Sequence, residues 1–270
     1  MNSLTKISKR EEILKILENK NNWVSGEQIA NSLSLSRMAV AKHIASLREQ
    51  GHAIEAATRR GYRLILKTDP IRVEDIRDHL STKILGQKEW LYLDKTDSTN
   101  RQATVWAAQG IDEGSIVISE RQTDGRGRKQ RKWFSSPRSL QFSVILRPSL
   151  PTEKLPDLMR IGALAVTEAI SALTNLNPVI KDPNDIYINS RKVCGILFEL
   201  GFKEQDLEWV VMGIGCNVNA LEQDFCDELK SIATSLYIEG EQPVSRSVLL
   251  IKIMEYLENG YLRFCRGDTL

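Results

Sequence analysis

The stretch SGEQIANSLSLSRMAVAKHIASLREQG, residues 25–51, constrains the fold more than any other part of the chain. Ser25 stands where a helix N-cap is wanted, and Gln28, three residues on, completes a capping box. Ile29 and Leu33 repeat at i, i+4 behind it. After a short break Ser36 caps a second helical pattern, in which Val40, Ile44 and Leu47 make one apolar stripe. Gly51 stands where a C-terminal cap belongs. Upstream, EEILKILE (11–18) puts Ile13, Leu14 and Leu17 on one helical face, and downstream HAIEAAT and GYRLIL read as two strands around the turn RRG. Helices joined by so tight a turn and followed by a hairpin predict a winged helix-turn-helix.

Charge points the same way. Residues 1–66 hold 11 Lys+Arg against 6 Asp+Glu, whereas 67–270 hold 26 against 29, so the net +2 of the whole chain hides a basic front end. Ser25, Ser36, Arg37, Lys42 and His43 around the second helix, with Arg59, Arg60 and Arg63 in the wing, are groups that reach phosphates and base edges in a major groove. A helical protein-interaction domain with a hairpin attached is the alternative; caps, turn, wing and basic bias together favour DNA. Pro70 disfavours helix at Asp69 and falls where the charge balance changes sign. The expected domains are therefore 1–67 and 68–270.

From about residue 90 the pattern becomes α+β. WLYLD alternates, IVIS is a compact strand, and LQFSVILRP places Leu140, Phe142, Val144 and Leu146 on one face. An apolar helix follows at about 158–174, then VIKDPNDIYINSRKVCGILFELG and WVVMGIGCNVNA, which read as strands paired around turns. Short connections and an excess of strands predict a mixed sheet with helices packed on it. The N-terminus lacks the apolar core of a signal peptide, and no apolar run approaches the ~20 residues that span a bilayer. Four dispersed cysteines without a C-x-x-C pair fit a reducing cytoplasm, so the expected location is cytoplasmic, without a membrane partner.

DGRGRKQRKW, residues 124–133, carries Arg126, Arg128, Lys129, Arg131 and Lys132 behind two glycines. A DNA patch, a solvated loop and a clamp for a small anion all have this composition. The first is weakened because the surrounding segment is slightly acidic. For the last, glycines let backbone N–H groups approach an anion, and arginine suits bidentate contact with phosphate or carboxylate.

The remaining motifs are S-T-N at 98–100, Q-x-x-G-R-G-R-x-x-R-K-W at 122–133, P-N-D at 183–185, R-K-x-x-G-I-L-x-E at 191–199 and G-I-G-x-N-V-N at 213–219. Five such motifs in this order behind a winged helix resemble the bifunctional biotin–[acetyl-CoA-carboxylase] protein ligase and biotin-operon repressor family, over about residues 10–265. The resemblance implies an α+β fold: an N-terminal winged helix-turn-helix, then a catalytic domain like those of class II aminoacyl-tRNA synthetases, with a mixed sheet. It implies that biotin carboxylate attacks the α-phosphate of MgATP to give biotinyl-5′-AMP and pyrophosphate. A lysine of the biotin carboxyl carrier protein of acetyl-CoA carboxylase then attacks the mixed anhydride. By the same resemblance Ser98, Thr99, Asn100, Gln122, Arg126, Gly127 and Arg128 hold biotin. Lys192 bridges its carboxylate and the α-phosphate, so Lys192 and Arg128 are the catalytic pair. Arg131, Lys132, Trp133, Asn184, Asp185 and Asn217 belong to the nucleotide side, with Asp185 as the Mg²⁺ ligand. The implied partners also include biotin operator DNA and a homodimer formed with biotinyl-5′-AMP as corepressor. Read without the resemblance, Lys192 is a solvated strand end, P-N-D a tight turn, and Asn217 a strand-end cap.

The chain departs from the family pattern in three places. Asp182 stands where a tryptophan is usual, and Gln130 where a glycine is usual, which raises the cost of a positive φ there. An SH3-like barrel normally follows the helix at about 245–265 and is not expected here. Asp182 and the missing barrel predict weakened ATP binding, and keep open a biotin-sensing repressor with little ligase activity. A lipoate or octanoate ligase on the same core is the third reading.

Overall fold

The computed structural model describes residues 8–20, 22–136, 138–149 and 151–267, with the side chain of Gln130 outside the described set. The chain divides into two compact units, Met1–Asp69 and Pro70–Leu270.

The first unit contains α1 (Lys9–Lys20), α2 (Gly26–Leu33), α3 (Arg37–Glu49), β1 (Ala53–Ala57) and β2 (Gly61–Leu66). The capping box forms: Ser25 Oγ accepts the Gln28 N–H and Gln28 Oε1 accepts the Ser25 N–H, both at 3.1 Å. Ser36 Oγ accepts the Ala39 N–H at 3.1 Å and starts α3. The apolar stripes of the three helices meet in one core of Ile13, Leu17, Ile29, Val40, Ile44 and Leu47. β1 and β2 pair antiparallel as the wing. Val24 and Tyr62 exchange both backbone hydrogen bonds at 2.8 Å, which ties the wing to the segment before α2. Gly61 makes this approach feasible: its φ is +98°, and a Cβ there would stand 2.1 Å from the Val24 carbonyl.

The second unit runs α4 (Val73–His79), β3 (Trp90–Leu93), α5 (Thr99–Ala108), β4 (Ile116–Ser119), β5 (Leu140–Leu146), α6 (Leu155–Leu173), β6 (Val179–Lys181), β7 (Asp185–Ile188), β8 (Arg191–Lys203), β9 (Asp206–Cys216), α7 (Asp227–Lys230), α8 (Leu236–Gly240) and α9 (Arg246–Cys265). The strands form one mixed sheet in the order β3-β4-β5-β9-β8-β7-β6, parallel between β3 and β4 and antiparallel elsewhere. β3 lies at the edge, and all four of its residues are half-buried, so the alternation expected in WLYLD does not separate a buried face from an exposed one. The described residues close at Gly267, just past α9, with no barrel among them.

The two sheet faces differ. Phe142, Val144, Met212 and Ile214 join Ile161 and Val166 of α6 and Ile253 and Leu257 of α9 in the main core. On the other face Val117, Ile145 and Val211 pack against Ala103 and Ala107 of α5. That second face does not stay apolar. In β5 the residues alternating with the core set are Gln141, Ser143 and Ile145, and their partners on β9 are Gly215, Gly213 and Val211. Along the strands, the α5 face therefore passes from aliphatic side chains to polar groups and bare glycines. Such a change builds a site at one end of a sheet while the other end holds the helix.

Candidate active site

The polar end of the sheet faces the start of α5. Asp97 organises that start: Arg101 bonds its carboxylate, as do the Ser98 N–H at 2.7 Å and the Gln102 amide and Thr96 hydroxyl at 3.1 Å. Burial alone raises its pKa, but hydrogen bonds from Gln102, Arg101, Ser98 and Thr96 outweigh it and hold the carboxyl well below the usual range. Behind this anchor Ser98, Thr99 and Asn100 are buried. Thr99 N–H donates to Gln122 Oε1 at 2.7 Å, Gln122 Nε2 donates to Gln141 Oε1 at 3.1 Å, and Ser143 Oγ donates to Asn100 Oδ1 at 2.6 Å. Asn100 Nδ2 donates to the Leu197 carbonyl at 3.2 Å. A Cβ at residue 213 would lie 1.8 Å from Asn100 Oδ1, so this amide reaches the sheet only because Gly213 leaves the space.

One row further along β9, Trp133 occupies the equivalent place. A Cβ on Gly215 would come within 2.5 Å of its indole, and one on Gly195, the β8 partner of Gly215, within 3.4 Å. Asn100 and Trp133 thus lie over consecutive same-face rows, about 7 Å apart along the strand. Trp133 closes the arginine loop, which folds as a small hairpin. Gly127 N–H donates to the Arg131 carbonyl at 2.7 Å, and Trp133 N–H donates to the Gly125 carbonyl at 2.8 Å. Gly125 is required here, since a Cβ would stand 2.8 Å from the Trp133 carbonyl. The left-handed residue of the loop is Lys129, at φ 55°, so the cost expected at Gln130 falls one position earlier. Two contacts hold the loop over the sheet: Arg128 donates to Asn184 Oδ1 at 3.0 Å, and Arg126 pairs with Glu199 at 3.5 Å.

Lys192 and Asp185 complete the arrangement. Their strands β7 and β8 are antiparallel, and the Lys192 ammonium lies 2.7 Å from Asp185 Oδ1 and 5.7 Å from the centre of the Trp133 ring. A Cβ on Gly195 would meet Lys192 Nζ at 3.0 Å, so the lysine lies along a strand without side-chain bulk. Lys192 is fixed from behind, because its backbone N–H donates to the Ile232 carbonyl and its carbonyl accepts the Thr234 N–H, each at 2.9 Å.

Between the loop, the β7–β8 hairpin and residues 229–233 lies a cavity of about 400 Å³. Arg126, Arg128, Lys129, Arg131, Lys132 and Lys192 line it, with Asp185 as the one acidic lining residue. Six cations against one carboxylate make a site for a polyanion. Two buried polar atoms beside it, Trp133 Nε1 and Asn217 Oδ1, have no hydrogen-bond partner. Buried groups left open in this way are what a bound molecule satisfies. Asn217 is itself fixed by donating to the Thr234 carbonyl at 3.0 Å, and Asn184 by donating to the Ile196 carbonyl at 2.8 Å. Asp182 is exposed and is not among the residues that line the cavity, whereas Asn184 and Asp185 just after it are. Cys194 and Cys216 face each other across β8 and β9, and burial, reinforced by Cys216, pushes the Cys194 thiol up, which ill suits it to act as a nucleophile.

A model of the biotin/lipoate A/B protein ligase family matches residues 92–217, and a helix-turn-helix domain model matches residues 9–63. The bifunctional ligase/repressor BirA of Bacillus spizizenii is 40% identical over 88% of this chain and 74% of its own length. Its counterpart from Bacillus subtilis is 39% identical over 93% of this chain and 78% of that one. This chain belongs to the bifunctional ligase/repressor family. The structure of the biotin protein ligase from Aquifex aeolicus in complex with biotin and ATP is also similar, with 31% identity and a TM-score of 0.59 over 67% of this chain and 73% of that one.

In this ligase/repressor the residues singled out in the sequence fall into two adjoining groups. Arg126, Gly127, Arg128, Arg131, Lys132, Trp133, Asn184, Asp185, Lys192 and Asn217 line the cavity. Ser98, Thr99, Asn100 and Gln122 do not; the last three form the polar row beside it, and Ser98 is buried at the start of α5, its N–H bonded to Asp97. Gln141 and Ser143 belong to that row and escaped sequence reading, although polar residues at alternate positions of LQFSVIL carried the signal. Asp97 was also passed over, although it precedes S-T-N directly. In the first unit Arg37 and Lys42 are exposed on α3 and His43 is half-buried. The hydroxyls of Ser25 and Ser36 serve as caps, and each keeps its O–H free to donate to a phosphate. In the wing, Arg59 has φ 67°, while Arg60 and Arg63 stack on the Trp23 ring at 4.7 and 5.1 Å.

Proposed function

We propose that this chain is an ATP-dependent biotin–protein ligase that also represses biotin synthesis by binding operator DNA. One observation carries the reading: a neutral row of amides and hydroxyls adjoins a cationic cavity, with Lys192 beside Trp133 in the latter. Biotin has this division of character. Its ureido ring both donates and accepts hydrogen bonds, for which Thr99, Asn100, Gln122, Gln141 and Ser143 are suited. Its carboxylate has to meet the α-phosphate of ATP, and two anions approach only where cations gather. Lys192 and Arg128 are assigned to that junction, with Arg126 and Gly127 closing over biotin. Arg131, Lys132, Trp133, Asn184, Asp185 and Asn217 are assigned to the nucleotide.

In the first step the carboxylate oxygen bonds to the α-phosphorus and pyrophosphate departs, leaving biotinyl-5′-AMP. In the second, the amine of a lysine on the biotin carboxyl carrier protein attacks the acyl carbon and AMP leaves. Charge on the α-phosphate and on pyrophosphate is greatest as the bond breaks, so Lys192 and the arginines act most strongly there. Asp185 is the carboxylate that would hold Mg²⁺, an ion that takes one or two protein carboxylates and draws its other oxygens from phosphate and water. The ion would neutralise charge on the polyphosphate when bound.

The polar row favours biotin over lipoate. A dithiolane has no amide to pair with these groups, and buried amides left unpaired disfavour the analogue. The test is incubation with MgATP and purified acceptor domains, with biotin and lipoate in parallel, read by mass spectrometry. Addition of biotin alone is expected; addition of lipoate alone, or of neither, overturns the reading.

A further inference from the structure

Helix α3 carries a line of side chains that the assignments above leave unused. Met38 is 84% exposed, and Ala41 and Ala45 are exposed beside it. At 3.6 residues per turn these three fall within about 60° of one another, on a flank about 125° round the helix from the buried stripe of Val40, Ile44 and Leu47. A single exposed methionine is ordinary. Three exposed apolar side chains on one flank of a helix, between Arg37 and Lys42 and in a unit with 12 Lys+Arg against 7 Asp+Glu, differ from the charged face of an ordinary solvated helix.

The side-chain inventory narrows what this face suits. The sequence RMAVAKHIASLRE contains no asparagine or glutamine, so the amide reading of adenine is absent from α3. Two of its polar side chains point elsewhere: Ser46 accepts from Arg10 at 3.1 Å, and Arg48 donates to the Ile54 carbonyl at 2.8 Å. Arg37 and Lys42 flank the apolar line and suit phosphate or guanine. The apolar feature of a major groove is the 5-methyl group of thymine. Alanines at 41 and 45 let the helix approach the groove floor, and Met38 extends from its N-terminal turn, the end that meets bases in helix-turn-helix docking.

We propose that Met38, Ala41 and Ala45 form a strip that reads thymine methyl groups in duplex DNA. This rests on the DNA-binding reading of the first unit. The test uses the full chain with biotin and MgATP present. A bound sequence is selected from a random duplex pool, and each dT in it is then replaced by deoxyuridine, which removes only the methyl group. One or more replacements should weaken binding about fourfold, the effect of leaving one methyl group unburied. Met38→Ala or Ala41→Ser should erase that discrimination. Met38 is exposed, so its substitution leaves the core intact, which circular dichroism checks. Arg60→Ala should weaken the dT and deoxyuridine duplexes equally. A bound sequence in which every replacement is neutral overturns the strip while leaving DNA binding in place. Discrimination that persists in both strip variants overturns it as well, as does Met38-dependent self-association without DNA. A pool that yields no bound sequence defeats the DNA reading itself.

Discussion

Lys192 has an acid on one side and an aromatic face on the other, and only one of these competes with a substrate. Asp185 pairs with the ammonium at 2.7 Å; in the proposed reaction a phosphate or carboxylate competes with it for the same charge. Lys192→Ala should therefore leave the fold intact and lower adenylate formation by about 10² to 10³-fold, the usual loss for one transition-state donor. Stopped-flow pyrophosphate detection measures this, and an unchanged rate removes Lys192 from the chemistry. Gly213 tests the neighbouring row. A Cβ there would sit 1.8 Å from Asn100 Oδ1, so Gly213→Ala must push the amide away from Ser143 and the Leu197 carbonyl. Overpacking of this kind costs about 1–3 kcal/mol. Biotin affinity, measured calorimetrically, should fall at least about fivefold on that scale; equal affinity in the two proteins separates Asn100 from biotin recognition.

At the scale of elements, α5 and the arginine loop depend on one acidic anchor. Asp97 receives Arg101, Gln102, Thr96 and the Ser98 N–H, and Arg101 reaches on to Asp124 at the loop's first residue at 3.2 Å. Because the folded-state pKa of Asp97 is depressed, its contribution is complete above the unfolded value near 4 and declines as pH falls below it. Asp97→Asn should be less stable than the parent at neutral pH, and the gap should narrow between about pH 5 and 2. Urea midpoints across that range decide it; a gap that is constant with pH shows that Asp97 is not the titrating anchor. The elements themselves were largely legible. Ser25, Gln28 and Ser36 announced two helix starts, and Leu140, Phe142, Val144 and Leu146 announced a strand with one core face. These signals are local. The opposite register of the same strand was not legible, because Gln141 and Ser143 acquire meaning only from Gln122 and from Asn100, 43 positions away. The Lys192–Asp185 pair likewise needs the β7–β8 pairing before either side chain has a partner. Asp182 stands directly before the P-N-D motif, and the turn carrying it leaves its side chain in solvent outside the cavity lining.

At the scale of the whole molecule, the division of charge separates two kinds of anion binding. The basic first unit spreads its cations over α1, α3 and the wing, a pattern that suits a long phosphate backbone, whereas the second unit places six of its cations on one cavity. DNA affinity should fall steeply with salt, and it should rise when biotinyl-5′-AMP is present through formation of a homodimer on an inverted repeat. Sedimentation and gel shift with and without the adenylate check this, and a monomer that binds equally well in both conditions breaks the coupling. In the proposed reaction the polar row and the cationic cavity together activate biotin, and pyrophosphate release from the full chain reads this without needing any carrier protein. With MgATP alone the rate should be near background. It should rise with biotin in a single turnover matched to the enzyme concentration, and it should stay at background with lipoate. Release that ignores biotin, or that lipoate supports equally, contradicts the account.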